Sequence, residues 1–186
     1  MVVGEKEFLL KDGRKGIIRS ANTEDESEVS EVLAFIKVAC SETDFLLRYS
    51  EEWDSTSLED EKRFLESNNN SEKQALLLCI VDGKVVGDCF ISWNTGLKTQ
   101  HRANIGISIL REYWNQGIGT KLFEELISLA KSQSNLVQLE LEFVEGNSRA
   151  RALYEKMGFR ITGLVPDAIK QKDGRLLNIY TMMRKL

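Results

Sequence analysis

The segment Ile107-Ser108-Ile109-Leu110, followed three residues later by Trp114-Asn115-Gln116-Gly117-Ile118-Gly119-Thr120-Lys121, reads as a strand entering a helix through a short polar turn. The first turn of that helix carries glycines. At a helix start the leading N–H groups lack intrahelical partners and the dipole end is positive, so an anion can bind there without a cationic side chain. Glycines let it approach and permit the positive φ that turns successive N–H groups toward one point. Spacing narrows the ligand. A Walker loop needs four residues between its first glycine and a Gly-Lys-Ser or Gly-Lys-Thr, which Gly119-Thr120-Lys121 does not provide. A dinucleotide fingerprint would require glycine at Leu122 and an acidic ribose ligand farther on. For an isolated Gly-x-Gly, a tight strand-to-helix turn with no ligand stands as an equal alternative.

Outward from this turn, the rest of the chain supplies alternating helices and strands. Towards the C-terminus, Ile118, Leu122, Phe123, Leu126, Ile127 and Ala130 form one helical face through Ala130, with Lys121, Glu124, Glu125 and Lys131 outside. Val137, Leu139, Leu141 and Phe143 then alternate with Gln138, Glu140 and Glu142 as a strand. A helix from Asn147 to Met157 stops at Gly158, and Asp173-Gly174 joins two closing strands, Phe159 to Ile169 and Arg175 to Met183. Towards the N-terminus, Arg102 to Leu110 is a strand, and Asp82-Gly83-Lys84 turns a hairpin between Ala75–Val81 and Val85–Trp93. A helix from Leu58 to Ser67 is ended by Asn68-Asn69-Asn70, and another, capped by Asn22 or Thr23, runs to Ala39 behind a strand at Gly16 to Ala21. The predicted order is β-α-α-β-β-β-α-β-α-β-β. This is an α/β (α+β) fold with a mixed, mostly antiparallel sheet of six or seven strands and about four helices on both faces.

The chain has 186 residues, 42% hydrophobic and 29% charged, the profile of one ordinary globular domain spanning 1–186. Neither a run of about 20 apolar residues nor a secretory leader is present, so a cytoplasmic location is expected and no membrane partner. Cys40, Cys79 and Cys89 form no CxxC pair, which disfavours a disulfide framework or a zinc site. A net charge of −4 gives no general attraction to nucleic acid and mildly favours cationic partners.

A second segment bears on the ligand. On a helix, Asn147, Ala150, Tyr154 and Met157 share a face. A phenol with an ordinary pKa near 10 can donate its proton at neutral pH, and the small Ala150 leaves room beside it. Spacing alone favours the other role for Tyr154, a core aromatic whose hydroxyl reaches solvent.

Taken together and in this order, the Gln116-Gly117-Ile118-Gly119 turn and Asn147, Ala150, Leu153-Tyr154 and Gly158-Phe159 resemble the acyl-CoA-binding core of the GNAT N-acetyltransferase family, over about residues 105–163. The resemblance implies acetyl-CoA as cosubstrate, without a metal. Its pyrophosphate would sit on the amides of Gln116, Gly117, Ile118, Gly119 and Thr120, and its pantetheine arm would pair with the strand around Ile107, Ile109 and Leu110. Asn147, Ala150 and Tyr154 would contact the arm, with Tyr154 as general acid for the departing thiolate. Two positions depart from the family pattern. Trp114 replaces a polar residue before the first glycine, and Asn104 stands where many members carry Glu.

The group that takes the acceptor's proton is therefore open among Glu140, Glu142, His101 and solvent. For each carboxylate, pairing with Arg or Lys is the competing expectation. Glu42 to Trp53, where Glu42, Asp44, Glu51 and Glu52 interleave with Phe45, Tyr49 and Trp53, would face the acceptor. The expected reaction is acetyl transfer to a primary amine of a small molecule. The alternatives are a protein N-terminus or lysine as acceptor, or a regulatory module that binds CoA without turnover. The terminal strands or a sheet edge would serve a homodimer.

Overall fold

Backbone ladders join eight strands into one sheet of order β1-β2-β3-β4-β5-β6-β8-β7. In the computed structural model, which describes residues 1–186, these are β1 (Lys6–Leu9), β2 (Lys15–Arg19), β3 (Gln74–Val81), β4 (Lys84–Trp93), β5 (Arg102–Ile109), β6 (Gln138–Val144), β7 (Arg160–Lys170) and β8 (Leu176–Lys185). The helices are α1 (Glu26–Ser41), α2 (Leu58–Asn70), α3 (Ile118–Lys131) and α4 (Ser148–Lys156). Every pairing is antiparallel except β5 with β6.

The sheet has eight strands rather than six or seven because Lys6–Leu9 adds an edge strand, pairing Lys6 with Ile18 and Leu9 with Lys15. Its side chains are mostly exposed, so it shows no apolar alternation. It is held by its ladder and by Phe8, whose ring fills the space where a Cβ on Gly16 would fall, 2.5 Å from Cε1.

Two further boundaries differ from the sequence expectation. The cap of α1 is Asp25, which accepts from the Ser27 N–H at 2.9 Å, whereas Asn22 makes its own turn by accepting from Glu24 N–H. Asn68, Asn69 and Asn70 belong to α2 rather than ending it. The Asn68 amide donates to Phe64 O one turn back, and Asn69 donates to Ala21 O at 2.9 Å, tying the helix to the strand exit.

Strand β3 reads as a continuous apolar run because both of its faces are covered. Leu76 and Leu78 pack with Val29, Val32, Phe35 and Leu65 of α1 and α2, while Leu77, Cys79 and Val81 join Leu122, Phe123 and Leu126 of α3 on the opposite face. Each such side chain, fully buried, contributes about 1.5–3 kcal/mol. The Asp82-Gly83 turn has φ of 51° and 77°, the paired positive values of a tight hairpin. No helix is long and apolar enough to cross a membrane.

One buried acid in α2 works against this packing. Glu61 is only 4% exposed and makes no ion pair; burial, and secondarily the nearby Asp88 charge, push its carboxyl up to about 7. Because this folded value lies above the unfolded one, the fold is favoured while Glu61 is protonated and loses stability as pH rises from the ordinary glutamate range through 7. Glu61→Gln is therefore expected to raise stability at pH 8 by about 2–3 kcal/mol. Chemical denaturation at pH 8 and pH 4 should show the gain only at pH 8.

Candidate active site

The feature that makes a site is the parting of β5 from β6. The two strands are paired only from Arg102 to Asn104 against Gln138 to Glu140, after which β6 continues alongside β8, with Glu142 opposite Thr181 and Val144 opposite Ile179. Arg102 O accepts from Asn94 N–H and Leu110 N–H donates to Val86 O, so the even-numbered residues of this stretch direct their backbone groups to the β4 side. By alternation, Ile105 and Ile107 direct theirs into the opening that β6 has vacated. A cleft of about 970 Å³ occupies this opening.

At one end of the cleft lies the glycine turn. Asn115 and Gly117 both have positive φ, 64° and 92°. The turn is fastened to the β1–β2 connection, since Gln116 O accepts from Lys11 N–H and the Gln116 side-chain oxygen accepts from Asp12 N–H, each at 3.2 Å. Helices α1 and α2 each begin with a side-chain cap and acidic residues in the first turn. Helix α3 has neither: its N-cap is Gly117, and no acid follows. Its leading N–H groups, those of Ile118, Gly119 and Thr120, are thus left for an outside acceptor. A Cβ at Gly117 would meet nothing within 4 Å, so the space before these groups is open.

Gly119 has a different reason to be glycine. A Cβ there would lie 2.8 Å from Leu153 Cδ2, so the residue sets the approach of α4 to α3 as well as leaving its own N–H accessible. Ile118 lines the cleft, yet its side chain is fully buried in the core, and only its backbone can serve a ligand. Trp114 donates from Nε1 to Ile109 O at 2.8 Å, and the Arg149 guanidinium stacks over its ring at 3.9 Å. The indole therefore closes the end of β5 and carries a cation beside the turn.

Asn147 caps α4 by accepting from Ala150 N–H at 3.2 Å, its amide N–H₂ has no protein partner, and it lines the cleft with Ala150 and Tyr154. Tyr154 is 7% exposed, packed among Phe123, Phe143 and Phe159, and its hydroxyl has no hydrogen-bond partner in the protein. Burial pushes the phenol up to about 12, which keeps it protonated and able to donate at neutral pH.

The other expected residues divide. Ile107 and Ile109 line the cleft, but Leu110 does not: its N–H is spent on Val86 O and its side chain packs into the core. Glu140 lies where the strands still pair, outside the cleft, and is held by Arg102, with 2.6 Å to Nε, and by Gln138. Burial alone would raise its carboxyl, but the hydrogen bonds from Arg102 and Gln138 and the Arg102 charge outweigh burial and hold it below the ordinary range. Glu140 is thus an ion-pair partner, the structural role that the sequence left open. Glu142 is exposed and faces the cleft. His101 lies outside it; its carbonyl binds Val137 N–H.

Sequence reasoning missed Asp88. It lies on β4 opposite Ser108, lines the cleft with Phe90 and Gly106, and accepts from Ser108 N–H at 3.1 Å. Burial, opposed by that hydrogen bond, raises its carboxyl to about 6. Its only sequence signal is one acid inside the apolar run Val85 to Trp93. The far wall comes from Glu42, Thr43 and Phe45 after α1, with the Phe45 ring beside Gly146, where a Cβ would lie 3.6 Å from its Cε1. This loop is tied to the closing hairpin: Tyr49 donates to Gln171 Oε1 at 3.1 Å, and Gln171 donates to Asp44 O.

A sheet opened beside an uncapped glycine-turn helix, with a phenol on the next helix, is an arrangement suited to an extended anionic ligand between two strands. The profile of the Acetyltransferase (GNAT) family matches residues 42–159, and the chain belongs to that family. The chain is similar to an acetyltransferase of the GNAT family from Streptococcus pneumoniae, at 29% identity and TM-score 0.84 over 92% of this chain and 99% of that one. It is also similar to the L-amino acid N-acetyltransferase AaaT of Escherichia coli K12, 28% identical over 108 residues, 58% of this chain and 66% of AaaT. It shares its fold with yncA of Salmonella typhimurium, solved with its cofactor acetyl-CoA, at TM-score 0.76 and 17% identity over 92% of this chain and 94% of that one. The chain spans about half to two thirds of the length of the curated relatives it matches.

Proposed function

We propose that this chain is a single-domain N-acetyltransferase that moves an acetyl group from acetyl-CoA to a primary amine of a small molecule by direct attack through a tetrahedral intermediate. The observation that carries it is the cleft between β5 and β6, with free helix N–H groups at one end and the unpartnered Tyr154 hydroxyl on its wall. The fit to acetyl-CoA rests on three features. The free amides of Ile118, Gly119 and Thr120 suit a pyrophosphate, and a Cβ at Gly117 would meet nothing beside them, whereas Gln116, tied to the β1–β2 connection, does not line the cleft. The backbone groups of Ile105 and Ile107 suit the amides of a pantetheine arm, which would add to the sheet as a strand does. The yncA structure holds acetyl-CoA on the same fold.

When bound, acetyl-CoA supplies an activated acyl group as a thioester. The chain's residues then orient and exchange protons. Backbone N–H groups of β5 polarise the acyl carbonyl, Asn147 steadies the arm, and Tyr154 delivers its proton to the leaving sulfur. Glu42, Asp88 and Glu142 give the acceptor end three carboxylates, while the cations on the cleft wall, Lys11, Arg149 and Lys156, come from the segments around the glycine turn. Those carboxylates attract a cationic amine and repel a carboxylate beside it. The same charge pattern favours, as a second reading, an N-terminal peptide amine over a free amino acid.

The test is CoA thiol release with a panel of alkyl amines, amino acids, amino acid amides and peptides. Release is expected with an amine, and amides are expected to exceed the matching free amino acids. Acetyl-CoA binding with no acceptor turned over would instead support the regulatory alternative.

A further inference from the structure

The acyltransfer reading leaves the destination of the acceptor's proton open, and of the candidates read from the sequence only Glu142, exposed on the β6 wall, lines the cleft. An amine arrives as an ammonium and must become neutral before its lone pair can attack. Asn104 has no carboxylate, and its amide donates to Asn94 Oδ1 at 3.3 Å. Glu140 is bound to Arg102, and His101 lies outside the cleft. Resting on the acyltransfer reading, we propose that Asp88 is the general base, taking the acceptor's proton from the β4 side of the cleft.

The placement of Asp88 carries this inference. It faces Ser108 across the β4–β5 ladder, with Phe90 facing Gly106 one step along on the same side of the sheet. A Cβ at Gly106 would meet nothing within 4 Å, so the floor between Phe90 and Asp88 is bare. An amine over Gly106 is a diagonal neighbour of Asp88, a separation of about 7–8 Å between backbone positions. The Asp88 side chain, alone or with one water, spans that gap. This amine would also lie against the strand whose Ile105 and Ile107 groups line the opening.

The carboxyl is held but not neutralised. One oxygen accepts from Ser108 N–H, no Lys or Arg pairs with it, and the other oxygen has no protein partner. The titratable groups that face it are Glu61 of α2 and Cys40 of α1, while Cys89, the next residue of its strand, points to the opposite face of the sheet. Glu42 and Glu142 share the cleft wall. None of these is a cation. Asp88 is thus an anion at neutral pH with a stronger hold on a proton than an exposed aspartate, as a base requires.

The proton balance closes. Asp88 takes one proton from R–NH₃⁺, and the neutral amine forms the C–N bond as the carbonyl electron pair moves to oxygen. On collapse the C–S bond breaks, sulfur takes the Tyr154 proton, and the second nitrogen proton returns to the phenolate. Asp88 releases its proton to water, so the sum is ammonium plus thioester giving amide, thiol and one H⁺.

Asp88→Asn keeps an acceptor for Ser108 N–H but cannot take a proton, so it separates chemistry from structure. With an amine that the wild type acetylates, kcat/KM at pH 7.5 is expected to fall about 10²–10³-fold. That deficit should shrink as pH approaches the amine's own pKa, while acetyl-CoA affinity stays unchanged. Asp88→Ser serves as a second variant without a base and should show the same pH-dependent deficit, whereas Asp88→Glu should retain most activity. A deficit equal at all pH values, or none, overturns the proposal and leaves acyltransfer standing. A wild type that turns over no amine overturns the acyltransfer reading and this inference together.

Discussion

Tyr154→Phe is expected to lower kcat by about 10² or more, the usual worth of a placed general acid, while acetyl-CoA affinity and thermal stability change little. The sparing of stability follows from the packing. The ring contacts to Phe123, Phe143 and Phe159 survive the change, and the hydroxyl gives up no hydrogen bond within the protein. The loss of rate follows from the phenol's position on the cleft wall and its protonated state up to about pH 12. Without it the sulfur must leave as a thiolate or wait for a proton from water. Steady-state kinetics beside a binding titration check both halves. An unchanged kcat in a folded variant would return Tyr154 to the role of a core aromatic.

Thr120→Asp should move stability and binding in opposite directions. An acid in the first turn of α3 would satisfy the free N–H groups and pair with Lys156, whose Nζ already lies 3.1 Å from Thr120 Oγ1. That should stabilise the fold by about 0.3–1 kcal/mol. The same charge would stand where a pyrophosphate belongs. At an effective dielectric near 20, two unit charges about 4 Å apart repel by about 4 kcal/mol, so a loss of about 10³-fold in acetyl-CoA affinity is expected. Thr120→Asn, neutral and of the same shape, should bind nearly as the wild type does. This pair is a cleaner probe than Gly119, where any side chain also collides with Leu153. Equal affinities for the Asp and Asn variants would place the phosphates elsewhere.

What could be read from the sequence was what depends on neighbours in sequence. The Asp82-Gly83 hairpin, the apolar face of α3 and the glycine turn each carry their signal within one or two turns of chain. The parting of β5 and β6 has no such signal, because the residues Ile105 to Ile109 alternate identically whether or not β6 stays beside them. It shows only in the ladders, where pairing with β5 stops at Glu140 while β8 stays beside β6 as far as Val144. The Arg102–Glu140 pair spans 38 residues and turned a candidate base into a structural partner. Asp88 gave no periodic pattern, and only the register opposite Ser108 places it in the cleft. Leu110 looked like the continuation of the binding strand, yet its N–H belongs to Val86. Strand β1 was hidden because its stability comes from backbone pairing and one half-buried ring rather than from alternation.

The central claim is that the opened sheet and the uncapped α3 form an acetyl-CoA site. Calorimetric titration of the purified wild-type chain with acetyl-CoA, with ATP and NAD as controls, tests it most directly. One-to-one binding of acetyl-CoA, with no binding of the controls, is the predicted result. No heat with acetyl-CoA would reduce the glycine turn to a connection between β5 and α3, and would contradict the proposed activity.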